Sequence, residues 1–357
     1  MIPITYRLND ADREEYKKIV TKHMKKKNRE EVEINLKNIL SNICYVSNKN
    51  LLDQILVMSF SEISEIKRFL DDAYIQFKLN KLEPFKASKG IEYKTENYKQ
   101  LSEFEKSETF KNMSLTRGNF IEKFLDEFYY PFVYLGNYYK NHFSNKNINK
   151  WIIDKTKVNV CPYCNILYTY NRGNSTTAQL DHFFPKAIYP LLSLSFYNLV
   201  PVCPSCNRIK SDNTDEIGSP YEDNAFSSMK ISWKPIDNVY RNDISKTGLD
   251  RLEDNIEIII SSKNNKEKRG LDIMRIQDAY KKHVDYASEL IKKVELYGNP
   301  DMQKLIINSC KDMKINDKDI ERFYFSNYID NNDLHKRSLA KMTHDFLYEY
   351  NEHLSWE

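Results

Sequence analysis

The sequence predicts a mainly α-helical protein with a small α+β module at its centre. Apolar residues recur at helical spacing before residue 145 and again beyond residue 267, and only 8 glycines and 11 prolines occur in 357 residues. The strand-like runs lie in the middle of the chain. We therefore divide it into a helical N-terminal region (1–145), a central module (146–225) and a C-terminal region (226–357) of short strands followed by helices.

The N-terminal region opens with a predicted helix over residues 10–27, because acidic residues at its start and lysines at its end suit the helix dipole. The three lysines at 25–27 are interpreted as a solvated helix end. Further helices are predicted from an apolar stripe, from a new apolar run at Leu51, and from the capping-box spacing of Ser59 and Glu62. The stripe consists of Val32, Leu36, Ile39, Leu40 and Ile43.

Residues 82–118 are polar and lysine-rich, which predicts a loop, and an aromatic run follows from residue 119. Pro131 predicts a turn or kink in that run. Because its rings recur at helical spacing, we interpret the run as packing core. A base-stacking platform needs exposed rings beside basic residues instead. The rings are Phe120, Phe124, Phe128 and Phe132.

In the C-terminal region, residues 229–236 and 255–262 read as two strands of a hairpin with a long connection. One long helix is predicted over residues 273–298, with Gly298 as its stop. Further helices are predicted after it, the last over residues 339–354.

The strongest local signal is a pair of short cysteine motifs, CPYC with Cys161 and Cys164, and CPSC with Cys203 and Cys206. Each CxxC turn can present two thiolates to one ion, so the four cysteines predict a structural zinc site. The alternative of a redox CxxC needs a thioredoxin-like βαβ context, which this sequence lacks. The remaining cysteines, at positions 44 and 310, lie in helical patterns and are predicted to be buried.

Polar residues stand at defined places around the cysteines. Asp181 and His182 end a strand-like stretch, where neighbouring side chains point to opposite faces. Asn198 precedes the run LVPV, and Asn207 follows the last cysteine at the start of a predicted helix. A single Asp-His pair is a weak signal, whereas this combination around two CxxC motifs is specific.

The segment CPYC, LDHFFPK, NLVPVCPSCNRIK resembles the HNH endonucleases of the ββα-metal fold. The resemblance covers residues 161–210 and implies a zinc-stapled nuclease core flanked by helical regions. It implies that His182 is the general base, that Asn198 orients it, and that Asp181 and Asn207 bind the catalytic metal. At the third motif position the family has His or Asn, and this chain has Asn207. Asn keeps an oxygen ligand, which suits Mg²⁺ or Mn²⁺.

Lys186, Arg208 and Lys210 are predicted to meet phosphate oxygens of the substrate, although each could also be a solvated charge. Residues 146–215 contain eight basic and four acidic residues, a balance that suits a polyanion. We expect hydrolysis of nucleic acid, with DNA favoured over RNA.

The longer phrase over residues 181–210 also resembles the HNH nuclease component of Septu-type and retron-associated anti-phage systems. That resemblance implies an effector nuclease that acts with an SMC- or ABC-like ATPase. Two alternatives stay open. The module could be a non-catalytic, zinc-stapled nucleic-acid-binding or scaffold module, or a nuclease that is silent without its partner.

The sequence has no run of about 18 apolar residues and no apolar segment behind a basic one near its start. We therefore expect a cytoplasmic protein with no membrane association.

Overall fold

The computed structural model describes residues 1–40, 50–72, 129–143, 147–236, 246–316 and 319–354. These residues are mostly helical and contain small two-stranded sheets, in agreement with the coarse fold prediction. Among them, no helix combines the length and apolar character that crossing a membrane requires. The predicted loop at 82–118, most of the phenylalanine run and Cys44 lie outside the described residues.

The described residues from 10 to 156 are mostly helical. Their helices are α1 (Asp10–Thr21), α2 (Lys26–Leu40), α3 (Leu51–Val57), α4 (residues 60–72), α5 (Tyr129–Tyr138, continued by a π-helical turn at Tyr139–Phe143) and α6 (Asn147–Thr156). Pro131 lies within α5. The capping box is confirmed, because the backbone N–H of Ser59 donates to the Glu62 carboxylate at 2.7 Å.

The prediction of one helix over residues 10–27 is wrong at its end. Helix α1 ends at Thr21, and the exposed lysines at 26 and 27 begin α2. Asn9 caps α1, its side chain accepting from the N–H of Asp12 at 2.8 Å. Three adjacent lysines at a helix start oppose the helix dipole, so charge order alone misplaced this boundary.

The central and C-terminal parts contain short strands between helices. The strands are β1 (Asn171–Arg172), β2 (Ser175–Thr176), β3 (Gln179–His182), β4 (Leu199–Val202), β5 (Lys230–Pro235) and β6 (Ile256–Ser261), and they pair as β1–β2, β3–β4 and β5–β6. The predicted hairpin is confirmed as the antiparallel β5–β6 pair, in which Trp233 lies opposite Ile258.

The later helices are α7 (Pro204–Lys210), α8 (Leu249–Asn255), α9 (Asn265–Ile273), α10 (Ile276–Tyr280), α11 (Val284–Gly298), α12 (Pro300–Asp312), α13 (Ile320–Phe325) and α14 (Ala340–Leu354). The single helix predicted over 273–298 is therefore divided into α10 and α11, and Ile273 is the last residue of α9. The chain breaks at Arg275, which has a left-handed φ of 50°, and again before His283. The predicted stop at Gly298 is confirmed.

The chain forms two compact units. Unit 1 consists of Met1–Arg7, Asn149–Asp181 and Val200–Glu357, and unit 2 of Leu8–Ile148 and His182–Leu199. The chain passes from unit 1 to unit 2 after Asp181 and back after Leu199.

In unit 2 the helices enclose the segment from His182 to Leu199. The hydroxyl of Tyr16 on α1 donates to the carbonyl of Leu194 at 2.9 Å. The hydroxyl of Ser195 donates to the carbonyl of Ile55 on α3 at 2.8 Å. The side chains of these contacts are buried, so this segment is fixed by the helical core of its unit.

In unit 1 the first residues run along the first cysteine motif, where the N–H of Ile2 donates to the carbonyl of Pro162 at 2.8 Å. Helix α14 packs on β5, and Asp345 accepts from the N–H of Ile231 at 2.8 Å. Gln277 on α10 accepts from the N–H of Ile260 on β6 at 2.8 Å. Residues distant in sequence thus hold the β5–β6 hairpin.

Candidate metal centre and surrounding site

The first cysteine motif forms a tight turn that positions two sulfurs. An antiparallel bridge joins Val160 to Tyr168, and the N–H of Cys161 donates to the carbonyl of Leu167 at 2.8 Å. Asn165 completes the turn with a left-handed φ of 53°, a conformation that Asn tolerates better than most residues. The N–H of Ile166 points to the sulfur of Cys164 at 3.4 Å.

The second motif places its sulfurs at the start of α7. Cys203 is the N-cap residue, and its sulfur accepts from the N–H of Cys206 at 3.5 Å. Pro204 occupies the first helical position, where its missing N–H costs nothing. The sequence thus fixes each pair locally, and only the tertiary fold brings the two pairs together.

The four sulfurs form one buried cluster in unit 1. The Sγ atoms of Cys161, Cys164, Cys203 and Cys206 all lie within 4.8 Å of one another. A tetrahedral zinc with sulfur ligands at about 2.3 Å places those sulfurs about 3.8 Å apart, so the donor set fits such an ion. None of the cysteines in the described residues forms a disulfide. The cluster could hold a metal ion such as zinc.

Burial and mutual hydrogen bonding shift the pKa values of these thiols. Burial raises the pKa of the Cys161 thiol well above its usual value. Hydrogen bonding from the neighbouring Cys161 lowers the pKa of Cys164 well below its usual value. A bound dication would favour the thiolate form of each ligand.

Asp181 lies on β3 in the same unit and is buried, with 3% of its surface exposed. The hydroxyl of Tyr163 donates to its Oδ2 at 2.7 Å. The ammonium of Lys210 lies 3.1 Å from Oδ1 and 3.0 Å from Oδ2. The carboxylate is therefore held between a tyrosine of the first cysteine turn and a lysine at the end of α7.

The three residues predicted to meet phosphate differ in their placement. Lys210 is 1% exposed. Its ammonium is paired with the buried carboxylate of Asp181 and does not lie at the surface, where a substrate phosphate would bind. Arg208 is exposed on α7. Lys186, in unit 2, is exposed and lies over the ring of Tyr139 at 4.9 Å.

His182 belongs to unit 2 and is 9% exposed. Its Nε2 lies 3.1 Å from the carbonyl oxygen of Ser193. The ring of Tyr139 packs edge-on against the imidazole, with centroids 4.3 Å apart. A carbonyl oxygen can only accept, so this contact requires the proton on Nε2 and makes Nδ1 the basic nitrogen of the neutral ring.

Asn198, also in unit 2, is fully buried and clamps the loop that follows His182. Its Oδ1 accepts from the N–H of Phe184 at 2.7 Å, and its Nδ2 donates to the carbonyl of Phe184 at 3.2 Å. Nδ2 also donates to the carbonyl of Leu192 at 2.9 Å. The amide thereby ties the loop after His182 to the segment that carries Ser193.

Asn207 is partly exposed on α7 in unit 1, and its Nδ2 donates to Oε1 of Gln179 at 2.8 Å. Unit 1 therefore contains the cysteines, Asp181, Asn207, Arg208 and Lys210, and unit 2 contains His182, Asn198 and Lys186. Within unit 1, Asp181 and Lys210 are brought into contact.

Three further residues take part that sequence reasoning missed. Tyr163 lies inside the CPYC motif, and its position between Cys161 and Cys164 is the sequence feature that could have indicated a role in the site. Ser193 contributes its backbone carbonyl, and Tyr139 lies outside the module, before its predicted start at residue 146. Neither of these two has a local signal.

Comparison of the chain with protein-family models, curated proteins and solved structures finds no match in any of the three.

Proposed function

We propose that the protein is a metal-dependent HNH endonuclease that hydrolyses phosphodiester bonds of nucleic acid, with DNA favoured over RNA. The four-cysteine cluster is its structural zinc site. It stabilises a module whose own apolar core is small, because free energy of metal binding becomes free energy of folding. The proposal rests on the motif resemblance and on the local arrangement of the residues below.

The observation that carries the proposal is the environment of His182. The carbonyl of Ser193 accepts from Nε2 at 3.1 Å, which selects the tautomer with a basic Nδ1. Nδ1 takes the proton of the attacking water, and the imidazolium formed keeps its donation to Ser193. Imidazole suits this step because its usual pKa, about 6.5, lies close to cellular pH.

Asn198 is a positioning residue for this base. Its three hydrogen bonds to Phe184 and Leu192 fix the loop on either side of the imidazole. A base held in one orientation loses less entropy in the transition state than a mobile one. This is the role that the family resemblance assigns to the middle asparagine.

Asp181 and Asn207 are the proposed ligands of a catalytic Mg²⁺ or Mn²⁺. Tyr163 and Lys210 make three contacts with the Asp181 carboxylate. A carboxylate accepts about four hydrogen bonds, so Oδ1 retains capacity for a cation. When bound, the ion neutralises charge developing on the scissile phosphate. Lys186 and Arg208 are exposed and are assigned to other phosphate oxygens.

The resemblance to anti-phage nucleases extends the proposal to a biological setting. In it the protein is the effector nuclease of a bacterial defence system and acts with an SMC- or ABC-like ATPase. The test of the nuclease must therefore include the protein with and without such a partner.

The test is cleavage of plasmid DNA and of a transfer-RNA pool by the purified full chain, alone and with a candidate SMC- or ABC-like ATPase, in the presence of Mg²⁺, Mn²⁺ or EDTA. His182→Ala removes the base. His23→Ala is the matched control, since it removes an exposed imidazole that stacks on His142 in the same unit. We expect metal-dependent cutting by wild type and His23→Ala, and a loss of about 100-fold or more in His182→Ala.

A second candidate is the non-catalytic nucleic-acid-binding or scaffold module. The buried ion pair of Asp181 with Lys210 favours it, because a structural carboxylate would be compensated in this way. Equal cutting by His182→Ala and wild type would overturn the assignment of the base. Binding of nucleic acid without cutting, alone and with the ATPase, would establish the second candidate.

A further inference from the structure

The extended segment from Tyr168 to Arg172 in unit 1 has two different faces. Tyr168 and Tyr170 are 43% and 38% exposed, whereas Thr169 between them is fully buried. Arg172, two positions further on, is also exposed. Alternation along an extended chain thus places Tyr168, Tyr170 and Arg172 on one outward face.

The opposite face is fastened to the body of unit 1. The N–H of Thr169 donates to the carbonyl of Asn159 at 2.8 Å. The side-chain amide of Asn171 donates to the carbonyl of Lys150 at 3.0 Å and to Oδ1 of Asp154 at 2.7 Å. Because these bonds fix the backbone of the segment, the side chains on its outward face are attached to a rigid support.

Thr177, which directly follows β2, bonds to the same segment. Its N–H donates to the carbonyl of Tyr170 at 3.0 Å, and its hydroxyl accepts from the N–H of Tyr170 at 2.9 Å. Two residues later, Gln179 bonds to Asn207 of α7. The tyrosine face is therefore carried by the chain that leads directly into the proposed catalytic strand β3.

The two rings contact each other edge to face, and each keeps part of its surface exposed. Their centroids are 5.8 Å apart and their planes are inclined by 65°. Residues two apart in a strand are separated by about 6.7 Å, roughly twice the ~3.4 Å per nucleotide of a duplex strand. Two successive bases can meet these rings only if the strand is drawn out and its bases are unstacked from each other.

We propose that Tyr168 and Tyr170 form a stacking surface for two unpaired bases of a single-stranded nucleic acid, and that Arg172 meets the adjoining phosphate. Exposed aromatic rings beside a cation are the arrangement that binds single strands with little sequence preference. A duplex hides its base faces, so this surface discriminates against it. The inference rests on the proposed function in taking nucleic acid as the ligand, and it adds that the substrate is single-stranded or locally unpaired.

The test is fluorescence anisotropy of the full chain carrying His182→Ala, without added Mg²⁺. The probes are labelled single-stranded DNA, single-stranded RNA of the same sequence and duplex DNA. The key variant is Tyr168→Ala with Tyr170→Ala. Tyr168→Phe with Tyr170→Phe keeps both rings. Tyr348→Ala is the matched control, because this residue is 54% exposed in the same unit.

Stacking contributes about 5- to 150-fold in affinity per base. We expect the double alanine variant to lose about tenfold or more for the better-bound single strand, and less than about twofold for duplex. The phenylalanine pair and Tyr348→Ala should bind as the parent does. Arg172→Gln should lower the number of counterions released by about one, as measured by the salt dependence of binding. Comparison of DNA with RNA identifies the preferred strand.

Unchanged single-strand binding by the double alanine variant would overturn the inference, as would an equal loss for duplex. Loss of binding in the phenylalanine pair would show that the rings are not what is recognised. Failure of the proposed function has a different signature, since the protein would then bind single strands through the tyrosines and cut nothing. If, in the chain with His182 intact, the double alanine change at Tyr168 and Tyr170 left nucleic-acid cleavage unchanged, only the role of the tyrosines would be refuted.

Discussion

Replacement of Lys210 by Met tests how strongly the site depends on its buried ion pair. Met matches the length of the lysine stem but has no charge, so the change leaves the carboxylate of Asp181 without its cation. Tyr163 remains as a donor at 2.7 Å. Both charged side chains are almost fully buried, with side-chain exposures of 1% and 4%.

The expected cost follows from this burial. Removal of one partner from a buried pair leaves an uncompensated charge and costs about 3–5 kcal/mol. For a unit of this size the melting temperature should fall by roughly 6–20 °C. Asp181→Asn combined with Lys210→Met removes both charges, so the double variant should be more stable than the sum of the single changes predicts by about 2 kcal/mol or more.

The assay is urea-induced unfolding of the single and double variants, with Lys266→Met as the matched control. Lys266 also pairs with a carboxylate in unit 1, at 2.7 Å from Glu216, but its side chain is 45% exposed. An exposed pair contributes less than about 1 kcal/mol. Distance alone would rank Lys266 as the stronger contact, so the comparison isolates the effect of burial.

Equal, small losses of stability in Lys210→Met and Lys266→Met would refute the reasoning. They would mean that Asp181 reaches water or another cation when Lys210 is absent. Additive effects in the double variant would likewise show that the two side chains do not act as a pair.

Three other predictions concern the loop, the cysteine cluster and pH. Asn198→Ala should destabilise the chain by about 2–4 kcal/mol in urea unfolding, because it leaves buried backbone groups of Phe184 and Leu192 unpaired; a cost below about 1 kcal/mol would argue against the clamp. Elemental analysis should find one zinc per chain, lost in Cys203→Ser together with a fall in melting temperature, and a metal-free wild type of equal stability would contradict the zinc site. Burial lowers the pKa of His344 below its usual 6.5. The contribution of the neutral imidazole to folding stability is therefore full above about pH 6.5, and it is lost as the pH falls towards the folded-state pKa. Melting curves between about pH 7.5 and 5 should therefore fall more steeply for wild type than for His344→Asn, and parallel curves would count against this assignment.

Local signals predicted much of the secondary structure. The hairpin strands, the capping box at Ser59 and the end of α11 at Gly298 are confirmed, because each depends on residues within one turn or one strand. The breaks in the predicted long helices were missed, because apolar periodicity continues across Arg275 while the backbone there is left-handed. Periodicity reports which face is apolar and does not report where the backbone turns.

The candidate site divides in the same way. The sequence by itself determined the two cysteine turns, whose conformation depends on nearby proline and asparagine residues, and it singled out His182, Asn198 and Asn207 by type and spacing. Only the tertiary structure decided the contacts of these side chains. It buried Lys210 against Asp181, placed a carbonyl on Nε2 of His182, and left the tyrosines at 168 and 170 exposed. Burial and pairing depend on which distant segments pack together, and no local pattern contains that information.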